Sequence, residues 1–154
     1  MKKEIAIIGL GKMGKNMTLR LRERGWRILG LDKGYDFSRI KNLTHSRIII
    51  LSVPAEAVDE VVREVLKFLD RDDIIADFGN SFYKDSIRRA KMISRKGIHF
   101  VDVGISGGPR GARNGASLMV GGKRRYFDYL KPLLKDLALP GGLQFFEGAG
   151  AGHF

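Results

Sequence analysis

Apolar positions open the chain with two different spacings in succession. Residues 4–9 form a β-branched run that ends in glycine, which is typical of a short buried strand. From residue 12 onward, Met13, Met17 and Leu21 recur at the spacing of one face of a helix. The first part of the chain therefore predicts a strand, a tight turn and a helix.

The same alternation of strand and helix patterns continues along the chain. Further strands are predicted at residues 26–31, 47–53, 74–78, 98–103, 117–120 and 143–146, and further helices at residues 58–69, 82–96 and 126–137. The run at 47–53 is almost entirely apolar, as expected for a strand that is covered on both faces. Strict alternation implies right-handed crossovers. It predicts an α/β fold of the Rossmann type, with a doubly wound, mostly parallel sheet in a single domain spanning residues 1–154.

The connection between the second and third predicted strands departs from that pattern. Residues 34–46 are little more than the dozen or so residues that a parallel crossover needs. We therefore expect the helix at this point to be short or absent.

Composition narrows the class of protein. The 154 residues are 44% hydrophobic and 29% charged, which is close to the average of globular domains and sufficient for a hydrophobic core. No cysteine is present, and His45, His99 and His153 lie far apart in the sequence, so we expect no metal site. No apolar run approaches the roughly 18 residues of a membrane span, so we expect a cytoplasmic protein without membrane contact.

A formal net charge of +11 favours anionic partners. Phosphorylated metabolites, dinucleotides and nucleic acid all fit this charge, and a merely solvated basic surface is the alternative. The predicted helix at residues 82–96 is very basic, but no aromatic platform accompanies its charge. Nucleic acid is therefore the least favoured of these partners.

A glycine-rich motif stands at the predicted turn between the first strand and the first helix. It has the form G-x-G-x-x-G and consists of Gly9, Leu10, Gly11, Lys12, Met13 and Gly14. In this position Gly9 permits the tight turn, Gly11 lets the backbone approach a pyrophosphate, and Gly14 allows the helix to pack closely on the strand. Free N–H groups at the helix start would hold the phosphates. We therefore predict that these residues bind a dinucleotide cofactor.

An acidic residue ends the second strand, at the distance expected for such a cofactor. Asp32 lies about 20 residues beyond the glycines, where a carboxylate can accept hydrogen bonds from both hydroxyls of the adenine ribose. Its charge would repel the 2′-phosphate of NADP, although the neighbouring Lys33 would offset part of that repulsion. The sequence therefore favours NAD, with NADP as the alternative, and a surface carboxylate without a ligand stays open.

Residues after the next two strands are candidates for the same crevice. Ser52, Val53 and Pro54 follow the third strand and Asn80 follows the fourth, and ligands of open α/β sheets bind beyond such carboxyl ends. We predict cofactor contacts for these four residues, and a loop amide at Asn80 could also bridge to a substrate. For Ser81, an N-cap of the following helix is favoured over a ligand contact.

The fifth predicted strand leads into a glycine-rich loop at residues 104–111. Backbone N–H groups of this loop and the Ser106 hydroxyl could hold a carboxylate or hydroxyl group of a substrate. His153 is interpreted as a tail residue, and the glycines within residues 148–152 indicate a point where the compact unit gives out.

Five segments of the chain carry a family resemblance. They are GLGKMGKNM at residues 9–17, DFGNSFYKDSIRRA at 77–90, GIHFVDVGISGG at 97–108, LMVGG at 118–122 and GAGHF at 150–154. Together they resemble the decarboxylating 6-phosphogluconate dehydrogenases, over the whole length of the chain. The wider β-hydroxyacid dehydrogenase family shares the first motif and the SGG loop, whereas GNSFYKD is much closer to the 6-phosphogluconate branch.

The resemblance implies roles for most of the candidate residues. Residues 9–14, Asp32, residues 52–54 and Asn80 match family cofactor positions, and Asn80, Ser106, Gly107 and Gly108 match substrate positions. The implied reaction is hydride transfer from a sugar-acid phosphate, 6-phosphogluconate, to the nicotinamide, followed by loss of carbon dioxide to give ribulose 5-phosphate. Members that use NADP usually carry an Asn-Arg-Ser/Thr type sequence where this chain has Asp32, Lys33 and Gly34, which again favours NAD.

The end of the chain departs from the family pattern. In the family, GAGHF leads into the lysine that serves as general base, and then into an all-helical domain that completes the site and the dimer. The resemblance therefore places no catalytic residue within residues 1–154. It implies a helical partner domain or a homodimer, and negligible turnover by this chain alone. The alternative is a dinucleotide-binding module, or a subunit of another β-hydroxyacid dehydrogenase.

Overall fold

The computed structural model of the protein describes residues 2–154. Its strands are β1 (Glu4–Ile8), β2 (Arg27–Leu31), β3 (Ile48–Leu51), β4 (Ile74–Asp77), β5 (His99–Ser106), β6 (Ala116–Gly122) and β7 (Ala138–Glu147). Its α-helices are α1 (Lys12–Glu23), α2 (Val58–Leu66), α3 (Tyr83–Ser94), α4 (Gly108–Asn114) and α5 (Arg124–Leu137). Every strand and helix predicted from the sequence is present, with ends that differ by a few residues. No helix within residues 2–154 is long and apolar enough to cross a membrane.

The strands form one sheet in the order β2-β1-β3-β4-β5-β6-β7. Neighbours from β2 to β5 run parallel, which places their carboxyl ends at one edge of the sheet. β6 pairs antiparallel with β5, and β7 runs parallel to β6. The strand order reverses at β1, so the ligand crevice of such a sheet falls beyond the carboxyl ends of β1 and β3. This topology confirms the Rossmann-type, mostly parallel fold.

Helices cover both faces of the sheet. On one face α1, α4 and α5 bury side chains such as Met17 and Leu130, and on the other α2 and α3 bury side chains such as Val62. Within β3, Ile50 packs into the first of these two cores and Ile49 into the second. Because successive side chains of a strand point to opposite faces, a strand covered on both sides must be apolar throughout.

The connection between β2 and β3 contains one short helix of six residues. It is a 3₁₀ helix at Phe37–Asn42, whose first turn is capped by the Asp36 carboxylate through the backbone N–H of Ser38 at 3.0 Å. The buried Ile40 fixes this short helix to the core. The prediction of a short or absent helix is confirmed.

The prediction of a glycine-rich loop at residues 104–111 is wrong, because these residues belong mostly to a strand and a helix. β5 continues to Ser106, and α4 begins at Gly108, directly after a left-handed Gly107 with φ of 118°. This segment shows no apolar periodicity, because α4 buries only small residues, Gly111 and Ala112, against its neighbours. Packing against α1, and not an apolar stripe, stabilises this helix.

The interpretation of residues 148–152 as a point where the compact unit gives out is also wrong. The carboxylate of Asp102 on β5 is fully buried and accepts the backbone N–H groups of Gly150 at 2.7 Å and of His153 at 2.8 Å. A Cβ atom at Gly152 would collide with backbone atoms of β5 and β6. The segment after β7 is therefore packed against β5 and β6.

Candidate functional site

The turn after β1 is shaped by glycines at two positions where no other residue fits. Gly9 has φ of 102°, and a Cβ atom there would overlap the carbonyl oxygen of Ser52. A Cβ atom at Gly14 would overlap the carbonyl oxygen of Gly9. These two glycines let α1 start immediately beside the end of β1, as the motif predicts.

The third glycine of the motif serves a different purpose. A Cβ atom at Gly11 would meet no protein atom within 4 Å, so nothing in the fold requires glycine there. Gly11 is the N-cap residue of α1 and provides no side-chain hydrogen bond, and the first turn of the helix contains no acidic residue. Among residues 2–154, no acceptor is found for the backbone N–H groups of Gly11, Lys12 and Met13. A helix start with free amides and an open approach is suited to bind an anion.

Asp32 ties the end of β2 to this turn. Its Oδ2 atom accepts the backbone N–H of Leu10 at 3.1 Å, and its Oδ1 atom accepts that of Lys33 at 2.9 Å. The structure shows that this carboxylate holds the glycine turn, while the ligand-binding role that the sequence predicts for it stays a prediction. The carboxylate stays half-buried and lines an open cleft.

Two clefts meet at the carboxyl edge of the sheet. The first has a volume of about 690 Å³ and is lined by Asp32, Lys33 and residues of the 3₁₀ helix and α2. The second has a volume of about 760 Å³ and is lined by residues 11–13, Ser52 and Asn80. Both clefts share Val53 and Pro54, so they form one elongated depression that passes over the glycine turn. The structure thus brings together the residues predicted to bind the cofactor, apart from Gly9, Leu10 and Gly14, which shape the turn beneath it.

Ser81 does not act as the predicted N-cap. Its hydroxyl donates to the buried Oδ2 atom of Asp77 at 2.8 Å, and the N-cap position of α3 is taken by Phe82, which provides no capping hydrogen bond. Asp77 also accepts the backbone N–H of Gly79 at 2.8 Å. These bonds fix the turn after β4, and the exposed Asn80 at its tip lines the second cleft.

The predicted substrate residues fall into two groups. Asn80 lines the second cleft, whereas Ser106, Gly107 and Gly108 are exposed and do not line it. The residues that β5 does contribute to the cleft are Gly104 and Ile105. The structure therefore does not bring Ser106, Gly107 and Gly108 together with Asn80, and their substrate role stays a prediction.

His153 is not a tail residue. Its imidazole is half-buried, with Nδ1 at 2.7 Å from the Ser86 hydroxyl and Nε2 at 3.1 Å from the carbonyl oxygen of Val103. A carbonyl oxygen only accepts hydrogen bonds, so Nε2 carries a proton and donates it to Val103. The ring joins α3 to β5 at the floor of the second cleft. The signal that could have indicated this contact is Asp102, a lone acid in the middle of an apolar strand.

The chain is similar to known proteins that have a site of this kind. The family model of the NAD-binding domain of 6-phosphogluconate dehydrogenase matches residues 4–143. The chain belongs to this family. As an NAD(P)-binding domain of the 6-phosphogluconate dehydrogenase family, it has a Rossmann fold. The extent of that domain as residues 1–154 stays a prediction.

Individual relatives agree with this family. The Bacillus subtilis protein YqeC, whose name assigns it provisionally to the 6-phosphogluconate dehydrogenases, is 38% identical in an alignment of 167 positions, gaps included, that covers 98% of this chain and 56% of YqeC. The structure of Plasmodium falciparum 6-phosphogluconate dehydrogenase, described as apo and in complex with NADP+ and with 6-phosphogluconate, has a TM-score of 0.81 and 30% identity, over 97% of this chain and 38% of that chain.

A more distant dehydrogenase shares the fold. Mycobacterium tuberculosis 3-hydroxyisobutyrate dehydrogenase has a TM-score of 0.90 at 23% identity, over 99% of this chain and 57% of that chain. At this identity the likeness concerns the fold alone. The chain thus spans from about two fifths to little more than half of the length of these proteins.

Proposed function

We propose that this chain is the cofactor-binding part of a dehydrogenase that oxidises a sugar-acid phosphate, 6-phosphogluconate, with NAD as the preferred hydride acceptor. The single observation that carries the proposal is the open start of α1, where three backbone N–H groups lack protein acceptors beside a Gly11 that no packing requires. A pyrophosphate would accept hydrogen bonds from these N–H groups. Without such an anion, they find no acceptor among the residues that the structure describes.

The remaining cofactor contacts follow from this anchor. With the phosphates at residues 11–13, the first cleft would take the adenosine half of the dinucleotide and the second cleft the nicotinamide half. When bound, the nicotinamide supplies the hydride acceptor of the reaction. The chain's own contribution is to orient the dinucleotide through Ser52, Val53 and Pro54, with Gly152 and Phe154 lining the second cleft beside them.

Preference for NAD rests on Asp32 at the wall of the first cleft. Its carboxylate has spare acceptor capacity for two ribose hydroxyls, and its charge opposes a 2′-phosphate at the same place. Calorimetric titration should give a dissociation constant for NAD about tenfold below that for NADP. The variant Asp32→Asn removes the charge and keeps the shape, so it should narrow this gap. Equal or tighter binding of NADP by the unaltered chain would refute the preference.

Substrate and partners follow from the family position and from Asn80. An exposed amide at the mouth of the second cleft can donate to a sugar hydroxyl or carboxylate. Ser106, Gly107 and Gly108 lie outside this cleft, so they would hold the same substrate only once a helical domain or a second subunit closes the site. Because the family's general-base lysine lies beyond the matched segments, the 154-residue chain should bind dinucleotide without turning over 6-phosphogluconate. Brisk turnover in a steady-state assay would contradict this.

A further inference from the structure

A groove with a volume of about 900 Å³ lies on the face of the sheet covered by α1, α4 and α5. We call it the basic groove, because five cationic side chains line it and no acidic side chain does: Arg20, Arg24, Arg124, Lys131 and Lys135. Its floor is apolar and includes the rings of Phe127 and Phe145. It shares no residue with the two clefts of the cofactor site.

Arg20 is the most deeply placed of these cations, with 7% of its surface exposed. Its Nε atom donates to the carbonyl oxygen of Asp136 at 2.7 Å, and its Nη1 atom donates to that of Arg113 at 3.5 Å. Within residues 2–154, no carboxylate lies within ion-pair distance of the guanidinium and Nη2 has no hydrogen-bond acceptor. Burial, followed by the charge of Arg24, lowers the pKa of Arg20. The carboxylates of Asp136 and Glu23 act on this cation from a distance, but neither forms an ion pair with it.

The other cations add to this unpaired charge. Arg24, Lys131 and Lys135 form no ion pair with any residue from 2 to 154, and Arg124 forms only an exposed one, with Asp128 at 3.1 Å. The guanidinium of Arg124 lies 5.5 Å from the ring centre of Phe145, and Nζ of Lys131 lies 5.8 Å from that of Phe127. Cations held over an apolar floor in a concave surface concentrate positive potential there.

A purely structural role accounts for only part of this arrangement. The two carbonyl oxygens that hold Arg20 belong to the last turns of α4 and α5, where a cation complements the partial negative charge of a helix end. That contact explains the position of Arg20. It does not explain why the groove side of α5 carries Lys131 and Lys135 without any acidic partner from a neighbouring element.

We propose that the basic groove binds a small polyanion that bears several phosphate or carboxylate groups. Arg20 and Arg24 would hold one anionic group at the inner end, and Lys131 and Lys135 would hold a second along α5. The carbon frame of the ligand would lie on the apolar floor. Such a ligand would bind independently of the dinucleotide.

Calorimetric titration with inorganic tripolyphosphate tests this proposal. The titration is made in the presence of saturating NADH, so that the start of α1 is occupied, and at about 0.15 M salt, so that interactions beyond roughly 8 Å are screened. The double variant Lys131→Ala/Lys135→Ala should weaken tripolyphosphate binding at least about tenfold, since each charge-assisted hydrogen bond to phosphate contributes strongly. The matched control is Lys91→Ala, an exposed lysine of α3 outside the groove, and it should leave binding unchanged.

Three results would overturn the proposal. In the first, the double variant binds tripolyphosphate as tightly as the unaltered chain while both retain the same circular dichroism. In the second, tripolyphosphate binds only when NADH is absent, which would assign it to the glycine turn. In the third, a single-stranded oligonucleotide binds far more tightly through the same two lysines, which would make the groove a nucleic-acid surface.

Discussion

Individual glycines of the motif after β1 have separable tasks. The variant Gly14→Ala places a methyl group onto the carbonyl oxygen of Gly9, so the first turn of α1 must shift and we expect a loss of stability of about 3 kcal/mol or more. The variant Gly11→Ala has free space for its methyl group, so the free energy of unfolding should change by less than about 1 kcal/mol. It should nevertheless weaken NADH binding at least about tenfold, because the methyl group stands where the phosphates approach.

Urea unfolding and NADH titration of both variants separate the two tasks. Gly11→Ala is the control for Gly14→Ala on stability, since the two substitutions add the same methyl group at positions only three residues apart. An unfolding midpoint of Gly11→Ala far below that of the unaltered chain would contradict the assignment of Gly11 to the ligand. So would undiminished NADH affinity.

The sequence predicts the position of those candidate residues that lie at the ends of strands. The glycine turn, Asp32, residues 52–54 and Asn80 sit at ends of strands, and both strand ends and motif spacing can be counted along the chain. The sequence does not predict the position of His153, because the contacts of its imidazole come from Ser86 and Val103, 67 and 50 residues away in the sequence. A buried acid such as Asp102 shows that something must donate to it, but not which segment does.

At the scale of elements, α2 and α3 are joined by an ion pair that should make stability depend on pH. The Asp59 carboxylate accepts the Nε–H of the buried Arg89 at 2.9 Å and also pairs with Arg88 at 3.0 Å. These hydrogen bonds, that of Arg89 foremost, lower the pKa of Asp59 below its ordinary value of 3.8. A carboxyl with a lowered pKa in the folded state stabilises the fold above the ordinary value, and this contribution is lost as the pH falls through the lowered value.

The variant Asp59→Asn tests this pair. It should be less stable than the unaltered chain near neutral pH, and the difference in urea midpoint should shrink as the pH falls from about 5 to below the ordinary pKa of a carboxyl. Glu60→Gln is the matched control, because Glu60 makes no ion pair within residues 2–154 and should show no such pH-dependent difference. A difference that stays constant with pH would contradict the role given to the charge.

The carboxylate of Asp102 should likewise stabilise the attachment of the segment after β7 to the sheet. The variant Asp102→Asn retains one good acceptor for the two buried N–H groups of Gly150 and His153, so one of them loses its partner, at a cost of about 2 kcal/mol. The melting temperature should fall by roughly 5 °C, and amide exchange at Gly150 and His153 should accelerate. Asp128→Asn, in an exposed pair, should change neither. Unchanged exchange at both amides would contradict this attachment.

The helices and strands differ in how well the sequence predicts them. Each of the four helices with an apolar stripe could be predicted, since burial of one face sets their spacing. α4 could not, because it packs through Gly111 and Ala112, which are too small to mark a stripe. The reversal of direction at β6 was not visible either, because an apolar pattern records which faces are buried and carries no information on strand direction. The nine residues between Ser106 and Ala116 were the one hint, being too few for a parallel crossover.

At the scale of the whole molecule, the cations behind the net charge of +11 are neutralised by ion pairs in some places and left unpaired in others. Part of it is neutralised internally, since Arg88 and Arg89 of the basic helix α3 both pair with Asp59. This reduces the charge available to a nucleic acid on that helix. The unpaired excess includes the exposed Lys12 and Lys33 beside the two clefts and four cations of the basic groove, Arg20, Arg24, Lys131 and Lys135. A dinucleotide should therefore meet a field of several charges as well as the local amides at the start of α1.

That field makes NADH affinity dependent on salt. Raising the salt concentration from about 0.05 M to 0.5 M shortens the screening length from more than 10 Å to about 4 Å, so the distant lysines cease to contribute while the amides in contact with the phosphates do not. We expect the dissociation constant for NADH to rise severalfold.

When the NADH concentration is a hundred times the dissociation constant, binding should add about 2.7 kcal/mol to the free energy of unfolding and raise the melting temperature by roughly 5–10 °C. Thermal unfolding with NADH at both salt concentrations measures the combined effect of the distant charges and of the local amides on the melting temperature. The variant Gly11→Ala loses the contact with the phosphates but keeps the net charge, so NADH should raise its melting temperature little at either salt concentration. An affinity that does not respond to salt would mean that the local amides alone hold the cofactor.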